Sequence, residues 1–137
     1  MEPNLPKEND PVIQEYRRFV YNLECTKEEE LKVRLDHAIT GMATEAGELL
    51  DLIKKVKFYK KETPRIQFLD ELADELHYLV MAMNILGVTF EDLIRLNELK
   101  LKARYPKGYS NENAINRDRE KEQEEMDKSG NDLNETV

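Results

Sequence analysis

Glu45-Ala46-Gly47-Glu48-Leu49-Leu50-Asp51-Leu52-Ile53-Lys54-Lys55-Val56 decides the fold, because its apolar residues recur with the period of a helix. With Glu45 as the zero of a helical wheel turning about 100° per residue, Leu49, Leu52 and Val56 all fall within roughly 40° of it. Glu45 therefore stands inside the apolar stripe. Glu48 lies about 60° further round, on the side that Lys55 and Tyr59 continue. Downstream, Glu71-Leu72-Ala73-Asp74 repeats the acidic spacing. There Leu72, Leu76, Leu79, Val80 and Met83 form one apolar face, while Glu71 and Asp74 lie on another that runs on into Tyr78, Met81 and Ile85. A face that passes from carboxylates into a tyrosine, a methionine and an isoleucine is not solvated throughout. The acids are expected to look into a second packed surface, either another helix or another subunit.

Working outward, Thr26 followed by Glu29 has the spacing of a capping box and predicts a long helix to about Lys61. Gly41 and Gly47 inside it mark either a close backbone approach or a kink. Thr63-Pro64 predicts a cap followed by proline at the first helical position, for a helix whose apolar pattern runs from Ile66 to Leu86 and stops at Gly87. Thr89 starts a further helix through about Ala103, closed by Pro106 and Gly108. Pro11 to about Asn22 reads as a short helix, with Val12, Tyr16, Phe19 and Val20 at helical spacing. Strand-like alternation and internal repeats are absent. The expectation is an all-α bundle of four to five helices. Residues 1–10 form a flexible N-terminus, 11–109 the folded domain, and 110–137, charged and without an apolar stripe, a mobile tail.

Composition narrows the function. The chain has 137 residues, 39% hydrophobic and 36% charged, enough for one domain with a modest core that oligomerisation would complete. A net charge of -8 argues against broad nucleic-acid binding, which needs a basic face. An anionic ligand then requires a metal bridge or a local Lys/Arg cluster. Cys25 is the single cysteine, so a reducing compartment is expected. The first ten residues lack the apolar segment of a signal peptide, and no stretch is long and apolar enough to span a bilayer. A soluble, cytoplasmic protein is expected.

Residues three apart share a side of a helix, so two packed helices can bring Glu45, Glu48, Glu71 and Asp74 to one point. Four converging carboxylates repel unless a cation sits among them. An oxygen-only donor set suits a hard divalent cation such as Mg²⁺, which in turn suits phosphate chemistry. The competing reading is that each acidic pair is a solvated helix face. Against it, an isolated buried carboxylate costs several kcal/mol, and Glu45 stands in the stripe. Lys54, Lys57, Lys60 and Lys61 read as solvated surface, whereas Lys55 shares the carboxylate side and is within reach of a phosphate oxygen. Asn97, Lys100 and Arg104 fall on one stripe of the fourth helix, either a solvated face or a set of donors for phosphates or a base edge. His37 and His77 read as structural. Asp74 with His77 has the spacing of a di-iron ligand pair, but only one such pair occurs. No Ser/His/Asp signature, glycine-rich phosphate loop or cysteine cluster is present.

At this point the chain resembles the MazG-like all-α nucleoside triphosphate pyrophosphohydrolases. The likeness rests on Glu45-x-x-Glu48 followed by Glu71-x-x-Asp74. Around them stand Leu35-Asp36-His37-Ala38, Tyr78-Leu79, Leu86-Gly87, and Asn97 through Lys100 to Arg104-Tyr105-Pro106-Lys107-Gly108-Tyr109. It covers about residues 30 to 110. Thr44 stands where the family often has a further glutamate, leaving four matched acids.

The resemblance implies a bundle assembling as a homodimer or homotetramer, with neighbouring subunits completing each site. It implies hydrolysis of a nucleoside triphosphate between its α- and β-phosphates, giving the monophosphate and pyrophosphate, in nucleotide-pool control or clean-up. Glu45, Glu48, Glu71 and Asp74 would hold Mg²⁺ or Mn²⁺, with a carboxylate or the metal activating water. Lys55, Lys100 and Arg104 would neutralise phosphates, and Asn97 would contact phosphate or sugar. Tyr16, Phe19 and Tyr109 are the visible candidates for base contacts; standard nucleotides including dGTP and damaged ones remain open. Two rivals stand beside this reading: a redox di-metal carboxylate protein using Asp74 and His77, and a non-enzymatic helical interaction module.

Overall fold

A computed structural model describes residues 3–130, 133 and 135–137, with 71% of the chain helical and no strand among the described residues. Six helices follow one another: α1 Pro11–Leu23, α2 Leu31–Tyr59, α3 Arg65–Leu86, α4 Phe90–Arg104, α5 Asn111–Ile115 and α6 Arg119–Asp127. They form two compact units, divided between Gly87 and Val88.

In the first unit α2 packs along α3, and α1 packs on α3. Joined by the short link 60–64 and packed along their length, α2 and α3 form an antiparallel hairpin. Gly41 marks a close approach of the two helices: it is buried, and an added Cβ would overlap ring carbons Cγ, Cδ1 and Cε1 of Tyr78. Gly47 is different, since a Cβ there meets nothing within 4 Å and α2 runs unbroken past it. The acid-bearing face of α3 thus meets a packed surface as expected, and that surface is α2. The core gathers at the C-terminal half of α3, where Val80, Met81, Ala82, Met83 and Ile85 are buried with Val20, Ala38 and Leu52. Asn84 Nδ2 donates to the Arg17 carbonyl at 3.1 Å, tying α1 to α3 through a buried polar contact.

Helix starts differ from expectation in two places. α2 begins at Leu31 with no side-chain cap, not at Thr26, because the Thr26 hydroxyl lies 3.3 Å from His37 Nδ1 and its carbonyl closes a turn on Glu29 N–H. Buried Glu24 instead anchors this entry, taking Arg34 Nε and Nη2 on its two oxygens at 2.5 and 2.9 Å. α3 begins at Arg65 with Pro64 as N-cap, one residue later than expected, and the Thr63 hydroxyl donates back to the Lys61 carbonyl. Gly87, at φ 70°, ends α3 as expected. Asp10 caps α1 through Val12 N–H and Ile13 N–H.

In the second unit Thr89 opens α4 with a full capping box closed by Asp92. After the turn at Pro106–Gly108, where Gly108 has φ 90°, the segment expected to be a charged mobile tail carries α5 and α6. α6 packs on α4. Its attachment includes an ion-pair network: Glu122, 4% exposed in its side chain, receives Arg104 and Arg117 together.

Candidate metal and nucleotide site

Four residues beyond Gly41 along α2 stands Glu45, and four residues before Tyr78 along α3 stands Asp74. In an antiparallel pair these offsets are one helical turn in the same direction, so the close crossing places Glu45 opposite Asp74. The same register sets Glu48 opposite Glu71. Carboxylate oxygens of Glu45, Glu71 and Asp74 lie within 4.8 Å of one another. Glu45 and Glu71 are half-buried and Asp74 is exposed. All-oxygen donors at that spacing fit a hard divalent cation.

The electrostatics follow from the crowding. Burial pushes the Glu45 carboxyl above its ordinary value, and the charges of Asp74, Glu48 and Glu75 push it further. Glu71 is raised in the same way, first by burial and then by Glu48, Glu45, Asp70 and Asp74. Each carboxylate disfavours ionisation of its neighbours, the condition a bound cation relieves. Glu48 is outside the three-residue group yet is the first charge acting on Glu71. Glu75, half-buried on the next position of α3, escaped the sequence reading, because an acid beside Asp74 looks like one more solvated charge until α2 is placed.

α1 contributes at the edge of this cluster. The Tyr16 hydroxyl is pushed up by burial and then by Asp74, and its ring stacks with that of Phe19 at 6.2 Å between centroids. His77 and His37 both set their rings edge-on to Tyr78, at 5.1 and 6.0 Å. His77 is outside the metal-capable group, so the redox di-metal reading finds no imidazole ligand among the described residues.

Lys55, expected to serve a phosphate, is 2.6 Å from Asp51 Oδ2, and Lys54 is 2.7 Å from the other oxygen of the same carboxylate. These two ammonium groups hold the Asp51 carboxyl down at about 2.

The remaining expected residues belong to the second unit. Asn97, Lys100 and Arg104 share α4, and Arg104 ends it with its guanidinium on Glu122. Tyr109 is exposed, sets its ring tilted to that of Tyr105 at 5.4 Å between centroids, and donates its hydroxyl to Asn111 Oδ1 at 3.0 Å.

The family model of the MazG nucleotide pyrophosphohydrolase domain matches residues 34–109, more than half of the chain. The chain belongs to this all-α family, whose members act on nucleotides as pyrophosphohydrolases and generally depend on divalent metal. The comparisons with curated proteins and with solved structures return no match. Among the described residues no helix is long and apolar enough to cross a membrane.

Proposed function

We propose that the protein is a Mg²⁺-dependent nucleoside triphosphate pyrophosphohydrolase, converting a (d)NTP and water into the (d)NMP and pyrophosphate, in nucleotide-pool control or clean-up. One observation carries this reading: the carboxylates of Glu45, Glu71 and Asp74 converge within 4.8 Å at the α2–α3 crossing of a chain in this family. Bound there, Mg²⁺ or Mn²⁺ would supply neutralisation of the triphosphate and acidification of the attacking water. Glu48 would hold that ion together with Glu45, Glu71 and Asp74, and its exposed carboxylate would also accept the proton of that water. The water oxygen bonds to the α-phosphorus, the bond from the α-phosphorus to the oxygen bridging it to the β-phosphate breaks, and that oxygen leaves with the electron pair as part of pyrophosphate. Lys55, Lys100 and Arg104 oppose the charge that builds on the departing phosphates; Lys55 must exchange Asp51 for a phosphate oxygen to do so. By the family resemblance, Asn97 would serve phosphate or sugar and Tyr109 would contact the base. The stacked Tyr16–Phe19 pair, with Tyr16 close enough to feel the Asp74 charge, offers an aromatic surface for the base.

A homodimer or homotetramer completes the proposal. Leu50, Phe58 and Ile66 are 70%, 67% and 67% exposed, with Ile53, Leu72 and Leu76 also exposed, apolar side chains that a second copy would cover.

Asp74→Asn and Glu48→Gln test the assignment. Each is expected to lower Mg²⁺-dependent pyrophosphate release by about 100-fold or more, with helicity by circular dichroism unchanged. Full activity in either variant would remove the corresponding role.

A further inference from the structure

Behind Arg104, in the second unit, lies a recess of about 190 Å³ whose polar lining is Arg104, Asn113, Asn116, Asp118 and Lys121, beside Ala103 and Pro106. That is smaller than the roughly 300 Å³ or more of sites that enclose whole organic ligands. Its polar lining is cationic and amide-bearing: one guanidinium, one ammonium and two carboxamides against a single carboxylate. Asp118 is already engaged, its Oδ1 accepting from Lys121 N–H at 3.0 Å as the cap of α6. The Lys121 ammonium makes no ion pair among the described residues.

Glu122 determines how Arg104 is presented. It accepts from Nε and Nη2 of Arg104 at 2.8 and 2.9 Å, one complete edge of the guanidinium. A guanidinium has a second edge through Nη1, and no carboxylate takes it among the described residues. Arg117 binds the same two oxygens of Glu122 at 3.2 and 2.6 Å, so one carboxylate is shared by two guanidinium groups and the trio keeps a surplus positive charge. Glu122 therefore orients Arg104 without cancelling its field. The Tyr105 ring centroid is 5.7 Å from the guanidinium carbon, and the Tyr105 hydroxyl is a further hydrogen-bonding neighbour of Arg104.

We propose that this recess is a phosphate-binding subsite, with Arg104 and Lys121 as its cations, Asn113 and Asn116 as neutral donors, and Glu122 as the positioning residue that holds Arg104. Four of these residues, Asn113, Asn116, Lys121 and Glu122, lie beyond the matched family region, which ends at 109. The subsite is thus a feature of this chain's own C-terminal segment. That its occupant is the pyrophosphate end of a nucleotide rests on the pyrophosphohydrolase reading; the phosphate chemistry of the recess does not.

Calorimetric titration of the full chain with pyrophosphate, inorganic phosphate and a nucleoside monophosphate tests both layers, beside a pyrophosphate-release assay. Pyrophosphate is expected to bind tighter than phosphate or the monophosphate. Lys121→Met, which breaks no ion pair, is expected to weaken pyrophosphate binding about tenfold, the scale of one charge-assisted hydrogen bond. Glu122→Gln is expected to weaken it too, although it adds positive charge, and Glu122→Asp to recover part of the loss. If Glu122 instead competed with the ligand for Arg104, Glu122→Gln would bind more tightly, and that result would overturn the positioning role. Unchanged binding in Lys121→Met would overturn the subsite even if the wild type hydrolyses nucleotides. Lys121-dependent binding without hydrolysis would leave the subsite standing and remove the enzymatic reading.

Discussion

Replacing Gly41 by alanine would drive a methyl group into the Tyr78 ring, itself hemmed in by His37 and His77. Overpacking of this kind costs about 1–3 kcal/mol, while the helix-propensity gain of Gly→Ala returns at most about 1 kcal/mol. Gly41→Ala is therefore expected to be net destabilised in urea denaturation, and a stabilised variant would mean that the crossing is looser than described. The same substitution at Gly47 meets open space and is expected to stabilise. Sequence alone pointed to both glycines for the same reason and could not separate them, since the difference lies in which α3 side chain stands opposite. The acids divide likewise. Their i,i+3 spacing and the place of Glu45 in the stripe were legible; that Glu45 faces Asp74 and Glu48 faces Glu71 depends on the register set by Gly41 and Tyr78. Glu75 was invisible for the same cause.

At the scale of elements, capping chemistry was readable where the side chain serves only its own backbone. Thr89 caps the helix it was expected to start, with Asp92 closing a capping box, and Gly87 ends α3. Thr26 had equal credentials, but His37, eleven residues away, claims its hydroxyl. α2 ends on Lys60 in the left-handed region at φ 52°, where a side chain costs about 1 kcal/mol and glycine does not. Lys60→Gly is expected to stabilise by about 0.5–1 kcal/mol, and a loss of stability would contradict the strain. α6 was not foreseen because ion pairs 18 and 5 residues apart in sequence hold it, and these leave no periodic trace. The Arg104 guanidinium, then Arg117, hold the Glu122 carboxyl far below its ordinary 4.5. A depressed carboxylate contributes stability that is fully present above 4.5 and is lost only as pH falls through the lower folded value. Amide exchange protection in α6 should accordingly be the same at pH 7 and pH 5 and fail only in strong acid. Loss of protection between pH 7 and pH 5 would refute the ionic anchoring.

For the whole molecule, an all-α chain with acidic motifs on adjacent helices was readable because helical period and cap residues are local properties. Assembly is not local. Leu72 and Leu76 look like core residues on a helical wheel, yet both are exposed while the acid-bearing side of α3 meets α2. Sedimentation is expected to show a dimer or tetramer, and Leu72→Asp to shift it toward monomer; a wild-type monomer at micromolar concentration would contradict the assembly. A pyrophosphohydrolase is defined by which bond it breaks. ³¹P NMR of the protein with a panel of ribo- and deoxynucleoside triphosphates and Mg²⁺ should show a nucleoside monophosphate and pyrophosphate growing together, and no turnover once the metal is chelated. Orthophosphate and nucleoside diphosphate as the primary products, or turnover untouched by chelation, would contradict the proposed activity.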